Sequence, residues 1–339
     1  MSRKLSPLIA WSQYLAARVA ATALTISEVE TNLHAAAHLG RWLYRSDKRH
    51  RTRTFRHLRI AFPDKSHDQI RQLAQKSFES LVQLVVEILY TPRLLHGDSW
   101  AQRTHRIGLA PSIRLINEGK PIIFVTGHVG NWEVLGYLLG ILGLQVSAIA
   151  RPLDNWLLGD WLYGIRQRRG LQIITKWGAT AHMLEVIERG GGLAFIADQN
   201  AGDRGVFVPF FGRLASSYKS IGLLAINRRV PIVCGYARRV GEQFQYEVGV
   251  VDTIQPEDWE SHDDPLFYVT ARYMHAIETM VRQSPHQYLW MHRRWKSRPR
   301  FELQGRPMPV RLRKNLEELP WLDGETLQSL IGQKFAPVS

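Results

Sequence analysis

A histidine and a glutamate five positions apart are the first residues whose types and spacing suit chemistry. They are His128 and Glu133 in Gly127-His128-Val129-Gly130-Asn131-Trp132-Glu133. A neutral imidazole takes a proton from a hydroxyl when one ring nitrogen is bare and aimed at it. A carboxylate on the other nitrogen fixes that tautomer and stabilises the imidazolium that forms. With four residues between them across a turn, Glu133 can fold back onto His128 and make such a general base, a device that contributes about 10²–10⁴-fold in rate. The alternative without chemistry is a structural histidine at a strand end followed by a helix-surface glutamate.

The elements around the motif favour a site. Ile122-Ile123-Phe124-Val125 is a short, uncharged, largely β-branched run, as in a strand buried on both faces. Gly127 and Gly130 loosen the chain, and Trp132 to Leu139 has the apolar spacing of a helix. Further apolar runs at 146–150, 171–175, 193–197, 231–236 and 246–251 alternate with helical stretches from Pro111 onward, the pattern of a largely parallel sheet covered by helices. Several runs end in a polar group: His128, Arg151, Asp198 and Arg238. In a parallel sheet those ends share one edge, where open α/β sheets gather their ligands. A lone strand-end Arg or Asp is more often a cap or a surface ion pair.

The 339 residues suit one large α/β domain or two small ones, and 45% hydrophobic content is a globular value. The outlying quantity is charge: 44 Lys and Arg against 30 Asp and Glu give a net +14. So basic a chain points to anionic company, whether nucleic acid, an anionic membrane surface or a charged substrate carrier. The one cysteine, Cys234, excludes an internal disulfide and lies in an apolar run, where a buried, inert thiol is expected. Pro7 to Ile26 is mostly apolar, with Leu8, Trp11, Leu15 and Val19 at helical spacing. Arg18 would cost about 2.5–3.5 kcal/mol near a bilayer centre, so a helix lying on the membrane surface fits better than a span. Arg41 to Arg59 is the most basic stretch, with Trp42, Tyr44 and Phe55 interleaved, and reads as a phosphate-facing surface or a solvated helix face. Asp68 to Leu89 resumes as an amphipathic helix.

Other features carry less. Gly190-Gly191-Gly192 precedes a strand rather than opening a helix, so a turn is expected there and not a phosphate loop. His182, His262, His275 and His286 lack metal-ligand spacing, no metal or cofactor is expected, and no G-x-S-x-G elbow is present. Near the end, Trp290-Met291-His292-Arg293-Arg294-Trp295 sets Arg293 and Arg294 among tryptophans, suited to bidentate phosphate contact or to a cation–π corner. Residues 301–339 read as a tail with at most one short helix, Gly324 to Lys334, because Pro320 argues against an earlier start.

Together these blocks resemble the bacterial lipid A late acyltransferase family. The resemblance rests on Gly-His-Val-Gly-Asn-Trp-Glu at 127–133, Arg151-Pro152-Leu153-Asp154-Asn155, Asp198-Gln199, Val208-Pro209-Phe210-Phe211-Gly212, Ala61-Phe62-Pro63 and the segment 290–299, in order from about residue 40 to 300. It implies a lysophospholipid-acyltransferase-like α/β fold with N-terminal membrane-associated helices. Residues 1–60 would form a basic membrane-associated region, 61–300 the catalytic domain and 301–339 the tail. The implied activity moves an acyl chain from acyl carrier protein to a hydroxyl of a lipid A precursor, at the cytoplasmic face of the inner membrane. The implied partners are the carrier protein, an anionic glycolipid and that membrane surface, with no nucleic acid. In this light His128 would be the base and Glu133 its orienting carboxylate. Arg166, four residues before Gly170, would face the oxyanion or a donor phosphate, with Arg168 second in line; Asp198 would position the acceptor or the arginine. Two departures stand out: Arg18 weakens the usual N-terminal span, and His57 replaces a frequent Asn. Another glycolipid or lysolipid acceptor stays open, and a basic nucleic-acid-binding protein is the rival of another class.

Overall fold

The computed structural model describes residues 5–97, 99–150, 152–168, 170–175 and 179–332. Helices come first: α1 (Pro7–Leu24), α2 (Val29–Ser46), α3 (Lys48–Ala61) and α4 (His67–Leu94). The last starts on a capping box, in which the Ser66 hydroxyl accepts from the Gln69 N–H while the Gln69 side chain accepts from the Ser66 N–H. The alternating part follows as β1 (Thr104–Ile107), α5 (Ala110–Asn117), β2 (Ile122–Thr126), α6 (Trp132–Ile141), β3 (Val146–Ala150), α7 (Trp156–Gln167), β4 (Gln172–Thr175), α8 (Ala179–Glu188) and β5 (Gly192–Ile196). A hairpin, β6 (Val206–Phe210) with β7 (Arg213–Ser217), precedes α9 (Lys219–Arg228), β8 (Ile232–Arg239), β9 (Tyr246–Ile254), α10 (Pro256–Glu260) and α11 (Pro265–Gln283). The end carries α12 (Arg300–Leu303), α13 (Val310–Glu317) and α14 (Gly324–Gly332).

The main sheet has the order β1-β9-β8-β2-β5-β3-β4. From β8 to β4 all pairs are parallel, while β9 runs antiparallel to β8 with β1 parallel beside it. This is the expected α/β architecture, and each apolar run read as a strand forms one. The glycine turn at 190–192 also leads into β5 as expected, with Gly190 at φ +75°. Period-two alternation divides the sheet. Ile123, Val125, Leu193, Ile232 and Cys234 face a large core shared with Val269, Tyr273, Met274 and Ile277 of α11. Phe124 and Thr126 face the opposite side, towards α5 and α6. Cys234 is fully buried, and burial raises its thiol pKa well above the ordinary value, so it is the inert thiol expected.

Two regions differ from expectation or refine it. The segment after Pro299 is not a tail with one helix. It forms α12, α13 and α14, and Leu316, Leu319 and Leu330 enter the main core. Its polar sequence hid this, because Arg311 and Lys314 of α13 pair with Asp264 and Asp263 at the start of α11. Trp321 completes the contact by stacking on His275 of α11, with ring centroids 5.1 Å apart. At the other end, α1 buries Ala10 and Ala21 and exposes Leu8, Trp11, Leu15 and Val19. Arg18 lies along the protein, bonded to the Tyr14 hydroxyl and over the Trp161 ring. Among the described residues, no helix is long and apolar enough to cross a membrane.

Candidate active site

The corner after β2 is held by backbone geometry before any side chain acts. Gly130 has φ +63°, and a Cβ there would stand 2.2 Å from the Ala237 carbonyl oxygen, so only glycine fits. The Asn131 N–H donates to that carbonyl, and its side-chain oxygen accepts from the Val134 N–H to cap α6. Its amide nitrogen donates to Glu87 of α4, which also forms a 2.7 Å ion pair with Arg239 of β8. Burial raises the Glu87 pKa while Arg239 and Asn131 oppose the shift. From the other side, the Leu289 N–H donates to the His128 carbonyl and the Gly130 N–H to the Gln287 carbonyl. Several elements thus fix the backbone around His128.

The imidazole is bound by Asp198. Its Nδ1–H donates to Asp198 Oδ1 at 2.7 Å, leaving Nε2 as the acceptor nitrogen, with the Gln199 side-chain amide 3.4 Å away. Sheet register explains the pairing. Thr126 of β2 stands opposite Ile196 of β5, and the Ala197 N–H extends the ladder to the Thr126 carbonyl. Two residues further along each strand are His128 and Asp198. Burial works against the imidazolium, but the charge and hydrogen bond of Asp198, with a smaller contribution from Glu133, raise the His128 pKa above its ordinary value. Burial would raise the Asp198 pKa, yet His128 draws it down to about 2.

Glu133 is turned elsewhere. Its carboxylate takes Arg166 in a two-pronged pair, Nε to Oε2 at 2.7 Å and Nη2 to Oε1, and also accepts from the Trp132 indole N–H. The orienting carboxylate on Nδ1 is therefore Asp198 and not Glu133, because the Asp198 position follows from strand register while Glu133 points along α6 towards α7. Asp198 accordingly holds the His128 imidazole, where the expectation had it holding an acceptor or an arginine. Arg166 does reach the site, with three guanidinium N–H groups beyond the two used on Glu133. Arg168 is exposed past the end of α7, and Arg151 lies outside the described residues. Arg294 is buried and structural: it donates to the Ser216 carbonyl and the Ser217 hydroxyl and sits against Phe210. Its neighbour Arg293 is exposed. The strand-end Arg238 pairs with Glu247, the bland outcome foreseen for such groups.

Beside this corner lies an apolar cleft with about 1140 Å³ of empty space, counting its mouth. Its floor is the α6-facing side of the sheet: Phe124 and Thr126, Ala148 and Ala150, Ala194 and Ile196, Val233 and Gly235. Leu135, Leu138, Leu139 and Leu142 of and after α6, with Ile113 and Ile116 of α5, form its roof, and Glu133 and Arg166 lie in its wall. Trp132 joins the two regions, since it lines the cleft and stands edge-on to His128 at 4.8 Å between ring centroids. Small residues on the middle strands leave this space open. Such a space, apolar along its length and polar at one end, suits a hydrocarbon chain bearing a reactive carbonyl.

Sequence reasoning missed several supporting residues. Gln199 and Trp132 lay inside recognised motifs without a role. Asn155 caps α7 through the Leu157 and Leu158 N–H groups and donates to Ala10 and Gln13 of α1. An Asn just before an apolar helical run is a readable signal for such a cap. Glu87 left none, since it meets Asn131 from 44 residues away. The His57 departure has a plain structural use: buried on α3, it donates from Nδ1 to the Trp290 carbonyl at 2.8 Å and stands edge-on to Trp295.

Comparison with known proteins gives the family. A lipid A biosynthesis acyltransferase of Haemophilus influenzae is 27% identical over 256 residues, covering 75% of this chain and 78% of its own. The lipid A biosynthesis lauroyltransferase of Escherichia coli is 26% identical, covering 77% and 84% respectively. The lipid A biosynthesis myristoyltransferase of the same organism is 23% identical, covering 79% and 82%. The family model described as bacterial lipid A biosynthesis acyltransferase matches residues 1–297, and the chain belongs to that family.

Proposed function

We propose that this acyltransferase moves a fatty acyl group from the thioester of an acyl carrier protein to a hydroxyl of a lipid A precursor, with His128 as general base. The observation that carries the reading is the His128–Asp198 pair, which leaves Nε2 as the acceptor nitrogen, met by the Gln199 amide at 3.4 Å and joined through Trp132 to an apolar cleft of acyl-chain character. In the reaction, Nε2 takes the hydroxyl proton as the oxygen attacks the thioester carbonyl. Asp198 stabilises the imidazolium, and the free N–H groups of Arg166 meet the developing oxyanion. When the tetrahedral intermediate collapses the C–S bond breaks, the thiolate recovers the proton from Nε2, and ester and thiol leave. No acyl-enzyme and no metal enter the scheme.

We infer the location from the surface. The exposed apolar stripe of α1 and the basic helices behind it suit the anionic cytoplasmic face of the inner membrane. The test is acyl transfer in a defined mixture of the purified chain, carrier protein loaded with several acyl lengths, and a hydroxyacylated lipid A precursor, followed by mass spectrometry. A product heavier by one acyl group, reduced by about 10³-fold or more in His128→Ala, is expected. Transfer to a different glycolipid alone would replace the acceptor. Full activity in His128→Ala, or a salt-sensitive nucleic-acid complex as the sole activity, would sink the reading.

A further inference from the structure

The basic face of α3 is more than a charged surface. Lys48, Arg49, Thr52, Arg53 and Arg56 recur on one side of the helix and, with Arg293 from the segment after Trp290, wall an open cleft of about 920 Å³ counting its mouth. Among the described residues, no carboxylate lines it. Asp47, just before α3, is committed to capping that helix and to the His50 ring at 2.6 Å. Lys48 and Arg49 stand in the first turn of α3, against the helix dipole. Burial and then the charges of Arg293 and Arg49 lower the Arg53 pKa. A crowd of like charges held at this cost fits an anion that arrives later.

The cleft is also tied to the active corner. Arg53 donates to the Met291 carbonyl at 3.1 Å, and His57 fixes the adjoining Trp290 carbonyl. The next residue, His292, accepts from the Asn200 N–H, and Asn200 follows the Gln199 that faces His128. Arg293 therefore leaves towards the cleft from a segment whose other contacts reach the base. We propose that this cleft binds a phosphate group on the sugar headgroup of the acceptor lipid, and so sets which hydroxyl meets His128. Guanidinium forks with a threonine hydroxyl in a concave wall suit a compact phosphate better than the convex face of an acidic protein. The inference rests on the lipid A precursor reading above and names where its phosphate is held.

Kinetics of Arg49→Ala/Arg293→Ala, with a thermal melt to confirm folding, test it. The acceptor KM should rise about tenfold with kcat and donor KM unchanged, and the wild type should show the same rise on an enzymatically dephosphorylated acceptor. A raised donor KM would give the cleft to the carrier protein, and unchanged constants would remove its role; either overturns the proposal. Inorganic phosphate that binds the wild type as tightly as the lipid does would make it a free-phosphate site and overturn the headgroup assignment. Flotation with vesicles carrying the phosphorylated acceptor, without donor, separates this inference from the acyl-transfer reading. Phosphate-dependent binding lost in the variant supports the cleft even if no transfer occurs, and transfer without such binding sinks it.

Discussion

His128 has a carboxylate on either side, and the two are held in different ways. Asp198 is delivered just past the end of the neighbouring strand, as His128 is past its own, each two residues beyond the last registered pair; it is almost fully buried, with the imidazole as its partner. Glu133 is delivered by the first turn of α6, is less deeply buried, and spends both oxygens on Arg166 from the last turn of α7. A strand rung fixes two short side chains within a hydrogen bond. A pair of long side chains from two helices can shift with whatever enters the cleft beside it. The first arrangement suits control of a proton, and the second suits control of a substrate.

The sharpest way to break this comparison is Asp198→Asn. The amide can turn its NH2 group to Nδ1, which moves the ring proton to Nε2 and blocks the base. A loss of kcat/KM on the order of 10²–10⁴-fold is expected. The pH profile carries a second sign. Because His128 has a raised pKa, the acid limb of the wild type should lie above the ordinary imidazole value of 6.5. Without the Asp198 charge, burial dominates and the residual activity should show its limb at lower pH. Stability runs the other way: the His128 contribution is complete below the unfolded-state pKa and is lost as pH rises through the raised folded value. A loss under about fivefold, with an unmoved limb, would remove Asp198 from the proton path.

Glu133→Gln and Arg166→Gln sharpen the other side. Each should lose about 10–10²-fold, and the double variant should be no worse than the poorer single, because both act through one pair. The acid limb of Glu133→Gln should fall less than that of Asp198→Asn, since Glu133 is the smallest of the influences that raise the His128 pKa. If Glu133→Gln moved the limb as far, Glu133 would share the proton with His128 and the division between the two carboxylates would collapse.

The strands were legible in the sequence because the runs are short, mostly apolar and separated by helical stretches, and 146–150 forms β3 to the residue. The convergence of His128 and Asp198 was legible too, as two strand ends on one parallel edge. Their direct pairing was not, because strand order and register, which set β2 beside β5, leave no mark in local periodicity. A motif within reach along the chain, H-x4-E, drew the eye to Glu133, while the partner of the imidazole lay 70 residues away. Arg294 misled for a related reason. Arginine beside tryptophan looks alike on a surface and in a core, and only burial under the β6–β7 hairpin decides it. The helices at 300–332 were hidden because few apolar residues, Leu316, Leu319 and Leu330, anchor them to the core, while Arg311 and Lys314 reach the acids before α11 from an exposed face.

The smallest effect concerns the floor of the cleft. Ala194 of β5 stands between Phe124 and Ala148 in register, one inward-facing rung below Thr126, Ile196 and Ala150. Ala194→Val adds two methyl groups there and should exclude the end of a long acyl chain while leaving the catalytic corner untouched. At about 0.8 kcal/mol per buried CH2, displacing two methylenes amounts to roughly a tenfold rise in KM for the longest accepted donor. The kcat for shorter donors should stay near the wild-type value. Competition among carrier-protein donors of several lengths, read by mass spectrometry of the product, measures the shift in preference. Equal losses across all lengths would mean that the chain lies elsewhere, and a lowered melting temperature with the same equal losses would mark simple overpacking of the sheet. A shift confined to long chains would place the alkyl tail against β5 and leave the two carboxylates at its polar end.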